Sequence, residues 1–380
     1  MSGAERIDTT MRTLSLLLAT LPLAAFAPAQ KINDVVVKKD GSRVRGVEIT
    51  EFLLSGVRGK RGADAFEVPG HTVVAVEWSD PPESFVTGRA ALDRGDFRTA
   101  AQLFGDVQTQ RPLIKVDAEF FKIKAAIAGI GNDKAAAATA AEHAKKWLAD
   151  NANHWRTPEA MLLAGRAERL AGTGGAATAS LRELDERATR EAFGPIWNAR
   201  AKSELALTLL ADGKAGEART AFQSAASAAD SALQTPSADD AELRALKTMA
   251  RVGEGETFLA DKDFAKAESF FRSLISSNQA ELVAAGHAGV GEAVFLAAAG
   301  ANNPEDLRRA QIAFATAAVL DVQSGEASAK ANYYLGRCVL QLQDREGDAW
   351  KQRANAYFQT VISSYPTSRW AGPAKVELGK

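Results

Sequence analysis

Ala100, Phe104, Val107 and Pro112 stand at offsets 0, +4, +7 and +12 within the stretch GDFRTAAQLFGDVQTQRP. Near the other end of the chain, Ala354, Phe358, Val361 and Pro366 stand at the same offsets. Residues spaced by four and three share one face of a helix, and a proline shortly afterwards ends it. A short helix buries only one face and is marginal alone. A chain that writes such a helix more than once is therefore restricted to a stack in which each unit covers the next.

The repeat extends in both directions from these four residues. From Phe85 onward there is almost no β signal, and apolar residues recur at spacings of three and four between Gly, Asn, Asp and Pro breaks. Around the first copy the unit reads Gly88, Ala91, Gly95, Phe97, Ala100, Phe104, Val107, Pro112. A second copy reads Gly255, Phe258, Phe264, Ala267, Phe271 and Leu274. A third reads Leu335, Gly336, Val339, Ala354, Phe358, Val361 and Pro366, with DREGDAWKQR expected as a longer turn. Weaker copies pair Gly131 with Ala136, Gly172 with Ala177 and Leu181, and Gly213 with Ala218 and Phe222. Ala310, Phe314 and Ala317 mark a further second helix, with Asn302 or Asn303 as its cap.

This order of small, aromatic and proline positions resembles the tetratricopeptide repeat family. The resemblance implies an α-solenoid of helix–turn–helix units, about seven hairpins between residues 85 and 380. The turn glycines 95, 131, 172 and 213 are 36, 41 and 41 residues apart, looser than an ideal repeat of about 34. Near the end, SSYPTSRWAGPAKVEL resembles the repeat junction of exported bacterial cell-envelope members, with Ser368 as a cap. Many of those members are lipoproteins, and this chain lacks the cysteine they require.

Residues 30–83 are written differently, in period two. Asp40-Gly41 separates two runs rich in Val and Ile, and further short runs are split by glycine-bearing turns. Five short strands in about 50 residues suit a small antiparallel sheet or curled barrel, weakly resembling SH3-like or Sm-like barrels. The prolines of DPPE (80–83) end the strand pattern.

The first 29 residues are expected to lie outside the mature fold. Arg12 precedes the apolar run Leu14–Ala27 and small residues follow, the pattern of a secretory signal, with cleavage expected after Ala29 and Met11 a candidate start. The chain is thus expected in the periplasm or at the cell surface of a bacterium, with no transmembrane segment after cleavage.

Composition favours no nucleic acid, since 46 Lys and Arg balance 47 Asp and Glu. The histidines (71, 143, 154, 287) stand in no metal-ligand spacing and are expected at the surface or as caps. Cys338 is expected as a buried small residue rather than a nucleophile. The segment GVRGKRGAD (56–64) lacks the Lys-Ser/Thr pair of a phosphate loop. No catalytic, cofactor or metal residues are assigned. The expected function is a protein–protein interaction scaffold whose concave face binds a protein or extended peptide. Arg89, Lys122, Arg166, Arg251 and Arg337 are the candidate contacts. The alternative gives binding to the β-region, with the repeats as a spacing or oligomerising arm.

Overall fold

The computed structural model describes residues 32–277, 279–299, 303–321, 325–343 and 349–379. The expected signal segment, Asn302 and residues 344–348 of the third copy's turn lie outside them.

The N-terminal part is one antiparallel sheet of β1 (Asp34–Lys38), β2 (Arg43–Phe52), β3 (Gly56–Arg61), β4 (Asp64–Pro69) and β5 (Val73–Glu77). A 3-10 turn, Gly70–Thr72, joins the last two, and the order is β4-β3-β2-β1-β5. β2 serves two neighbours: Arg43–Val47 pair with β1, while Glu48–Phe52 pair with β3. Gly46 in the first half has φ +70°, and the register shifts after Ile49 in the second. Such irregularities bend a strand and increase its twist. Val36, Val47, Ile49, Val57, Val68, Val73 and Val76 are all buried on the inner side.

Fifteen helices follow among the described residues. The first four hairpins are α1 (Glu83–Asp93) with α2 (Phe97–Gly105), α3 (Pro112–Ala128) with α4 (Lys134–Asp150), α5 (Thr157–Ala171) with α6 (Gly174–Arg190), and α7 (Pro195–Ala211) with α8 (Ala215–Ala232). The other three are α9 (Asp240–Ala260) with α10 (Phe264–Ile275), α11 (Ala280–Ala299) with α12 (Pro304–Leu320), and α13 (Glu326–Leu342) with α14 (Ala349–Ser364). A last helix, α15 (Ala371–Leu378), covers the end of the stack.

Turn chemistry sets where each hairpin reverses. Gly95, Gly131, Gly172 and Gly213 all have positive φ, a region a Cβ disfavours. Asp96, Asp133 and Asp263 then cap α2, α4 and α10 by accepting backbone N–H groups. Asn303 does the same for α12, accepting from Glu305 at 3.0 Å. In the fifth hairpin Lys262 occupies the position of Gly95, at φ 59°. The second hairpin has one extra residue between its turn glycine and cap, so the buried alanine is Ala137, while Ala136 is exposed.

The packing rule between helices is a small residue facing a large one. A Cβ on Gly88 would sit 3.1 Å from the Phe104 ring, and one on Gly165 would sit 2.7 Å from Leu181. Gly255 stands in the same relation to Phe271, and Gly336 to Phe358. In the first, third and fifth hairpins the partners are 16 residues apart; in the seventh they are 22 apart, the six extra residues lying in the turn region. Phe271 is crowded by two glycines, because Gly289 of α11 also lies close against its ring. Ala100, Ala267 and Ala354 are fully buried on the second helices. Phe97 and Phe264 are half-buried at the turns, and Pro112 and Pro366 are exposed where they end or begin segments.

Each first helix packs on the next first helix, from α1 against α3 through to α13 against α15, and among the described residues no comparable packing joins the second helices. The side with contact is the shorter side of the stack, so the first helices form its inner face. The hydrophobic core of the sheet runs without a break into these helices: Val36, Trp78, Phe85, Phe121, Trp147 and Ala167 belong to one cluster.

Candidate functional site

Buried polar side chains are distributed unevenly. Asp117, Glu168, Ser203, Glu204, Thr208, Glu254, Thr257, Glu292, Ser328 and Lys330 are all on first helices, and the second helices bury apolar or small residues. A buried polar group requires partners. The inner face therefore carries a series of ion pairs between hairpins, such as Glu204 of α7 with both Arg166 and Arg169 of α5.

The sheet lies against this face at hairpins two to four. Asp34, fully buried, receives both terminal nitrogens of Arg111 from the start of α3, and the backbone N–H of Ser79 at 3.0 Å. Trp78 donates to Asp117 of α3 at 3.2 Å, and Asp117 also accepts from Arg156 at 3.0 Å. Phe52 packs edge-on to His154 at 4.5 Å, and Leu54 packs with Met161, Phe193 and Trp197. At the far side Lys39 donates to Asp239, just before α9, at 2.9 Å.

Between the sheet and these helices a cleft of about 380 Å³ remains. Its sheet wall is Lys39, Leu54, Ser55, Gly70, His71, Val73 and Val74. The helical wall brings Lys124, Trp155, Arg156, Glu159, Phe193, Trp197, Arg200 and Glu242 from α3, α5, α7 and α9 and their lead-in turns. The charges are matched. Lys124 donates to Glu159 at 2.6 Å, and Arg200 makes a two-pronged contact with Glu242 at 2.7 and 2.6 Å. Burial alone would raise the Glu159 carboxyl, but Lys124 and Arg156 outweigh it and hold the pKa below the usual range. Arg156 lies over the Trp155 ring at 4.1 Å and Arg200 over Trp197 at 4.3 Å. Val74 is half exposed at the rim (52%). The cleft is thus lined by aromatics and arginines, and its charged side chains are paired with one another or with neighbouring groups.

His154 meets the expectation of a cap but does not lie at the surface. It is buried beside Trp147 and Trp155, and its Nδ1 accepts the backbone N–H of Arg156, so it caps the approach to α5. Burial, then the nearby Arg156, pushes its pKa well below the ordinary histidine value. His71 and His143 are exposed and His287 is half-buried. Cys338 is fully buried, and burial pushes its thiol up to about 12.

The five arginines and lysines singled out in the sequence do not converge. Arg89 is half-buried over Phe121, near Arg156 and Asp117. Lys122 is exposed on α3, and Arg166 is bound to Glu204. Arg251 pairs with Glu254 one turn on, and Arg337 lies far along the stack against Tyr333 and Glu377. Trp155, Trp197 and Arg200 went unread, because only the docking of the sheet makes them neighbours of one space.

No family model and no curated protein matches the chain. Among solved structures it is similar to the apo form of the quorum sensor NprR from B. thuringiensis, at 12% identity and TM-score 0.43 over 78% of this chain and 79% of that one. It is also similar to a Rap protein complexed with competence and sporulation factor, at 12% identity and TM-score 0.43 over 77% and 75%. A third is the C-terminal part of a TPR repeat-containing protein from Cytophaga hutchinsonii, at 13% identity and TM-score 0.37 over 76% and 98%. The helical-hairpin architecture itself rests on the packing of this chain's own residues.

Proposed function

We propose that this stack of tetratricopeptide-like hairpins is an exported, non-enzymatic scaffold that binds a protein or extended peptide. The cleft shared by the sheet and the inner helices is the binding surface in this reading. One observation carries it: Trp155, Trp197, Phe193, Arg156 and Arg200 are gathered in a single cleft. Trp and Arg are the residue types that dominate binding energy at protein interfaces. The volume lies within the range of sites that enclose small ligands or a few residues of a chain.

Export rests on the sequence pattern of residues 11–30, which lie outside the described residues, and places the protein in a bacterial periplasm or at the cell surface. A role in envelope assembly or maintenance follows from the junction resemblance. The reading that gives binding to the β-region alone meets the shared core: sheet and helices supply opposite walls of the same cleft.

The test is crosslinked capture from the protein's own cells with three full-length forms. Val74→Asp alters the cleft rim, Ile312→Asp alters an exposed residue (69%) on the outer helix α12, and the unchanged chain is the reference. Proteins lost with Val74→Asp and kept with Ile312→Asp support the cleft. The same set recovered with all three forms refutes it.

A further inference from the structure

At the other end of the stack, five charged groups from four inner elements meet. Lys330 of α13, buried to 5% exposure, is paired with Glu292 of α11 and lies 3.5 Å from Glu256 of α9. Tyr334 donates its hydroxyl to Glu292 at 2.7 Å. The turn before α15 supplies the remaining contacts. Arg369 reaches back 113 residues to bind Glu256 with two nitrogens, and lies 3.3 Å from Glu326. Ser368 donates to Glu326 at 2.7 Å. Trp370 stacks on Tyr333 at 5.3 Å and meets Tyr334 edge-on at 5.4 Å.

These groups differ in how firmly they are held. Lys330, Glu256 and Glu292 project from helices and are nearly buried. Arg369 sits in a turn and its side chain is 52% exposed. If Arg369 left, Glu256 and Glu292 would share a single ammonium in a poorly hydrated place. Removing one partner from a buried ion pair is strongly unfavourable, so departure requires a replacement cation. A planar guanidinium fits the two-pronged contact better than an ammonium, and the two tyrosines offer a flat aromatic face beside it.

We propose that Ser368–Trp370 is a built-in occupant of a binding surface on the inner face of the fifth to seventh hairpins. The surface accepts, in its place, an extended partner segment carrying an arginine beside an aromatic residue. This surface is separate from the cleft under the sheet, and either reading stands if the other fails.

The test uses the full chain and a fluorescein-labelled peptide with the sequence of residues 363–375, SSYPTSRWAGPAK, read by fluorescence anisotropy. A second peptide has alanine in place of its arginine. The unchanged protein, occupied by its own turn, binds the arginine peptide weakly. Arg369→Ala binds it at least tenfold more tightly, and adding Glu256→Gln removes that gain. The alanine peptide shows no preference for Arg369→Ala. Equal binding by the unchanged protein and Arg369→Ala, or by the two peptides, overturns the proposal. Should Arg369→Ala melt early, the arginine peptide raises its melting midpoint and the alanine peptide does not; equal midpoints overturn the proposal as well.

Discussion

Replacing Gly289 by alanine tests the packing rule where it is most tightly drawn. The new methyl carbon would lie 2.3 Å from the Phe271 ring, far inside the 3.4–4 Å of ordinary contact. The ring has little room to retreat, because Gly255 also lies against it and a Cβ there would sit 2.5 Å away. Overpacking a closed core costs about 1–3 kcal/mol, and the absence of an escape route puts this site at the upper end. Alanine also favours the helix over glycine by about 1 kcal/mol. The net expectation is a loss of about 2 kcal/mol for Gly289→Ala, and a similar loss for Gly255→Ala. At Gly88 the nearest atom of Phe104 is 3.1 Å away and a shift of a few tenths of an ångström suffices, so the two effects nearly cancel. At Gly175, exposed in the first turn of α6 with nothing within 4 Å, only part of the roughly 1 kcal/mol propensity gain remains, and the sign reverses by up to about 0.5 kcal/mol. Urea unfolding followed by far-ultraviolet circular dichroism gives the order directly. Hydrogen exchange across α9–α11 shows whether the loss is local, as expected in a stack of neighbours. If Gly289→Ala proves as stable as the parent, or Gly88→Ala is the more harmful, the small-against-large account of the fold is refuted.

Lys262→Gly relieves a left-handed backbone at a hairpin turn where lysine stands in place of glycine, and is expected to raise stability by about 0.5–1 kcal/mol in the same urea titration. Arg111→Ala leaves the fully buried Asp34 with only backbone and hydroxyl donors, and should destabilise the protein by about 3 kcal/mol while lowering amide protection across β1 and β5. Burial would raise the Glu256 carboxyl, but Arg369 and Lys330 outweigh it and hold its pKa at about 2. Because this folded value lies below the unfolded one, its contribution is full above about pH 4.5 and disappears as pH falls towards 2; Glu256→Gln should flatten that part of a stability–pH curve. Cys338, with its thiol pushed up to about 12, should resist a thiol reagent at pH 8 in the native state and react at once in denaturant.

What the sequence made legible is what repeats locally. A glycine that reverses a hairpin, an aspartate that caps the next helix and an alanine one turn inside it are neighbours in the chain, and their spacing survives from hairpin to hairpin. The exception at Ala137 came from one inserted residue before a cap, a shift too small to see without the helix boundary. The seven hairpins and the five strands were legible for the same reason. The cleft was not. Trp155, Trp197 and Arg200 have no common local pattern, and Phe52 and Leu54 look like ordinary strand residues until the sheet is placed on α5 and α7. The ion pairs of the inner face were equally hidden: Arg166 was picked out, but its partner Glu204 lies 38 residues away on the next first helix.

Repeat proteins commonly gain and lose units, because each unit touches only its neighbours. Two contacts oppose that freedom here. Lys39, in the turn after β1, holds Asp239 across 200 residues, and Arg369 holds Glu256 across 113. Duplicating or deleting a hairpin inside either span moves one partner by the thickness of a whole layer, and the side chains have no such reach. A change in the number of hairpins therefore breaks one of these two long-range ion pairs, so each couples the two ends of its span.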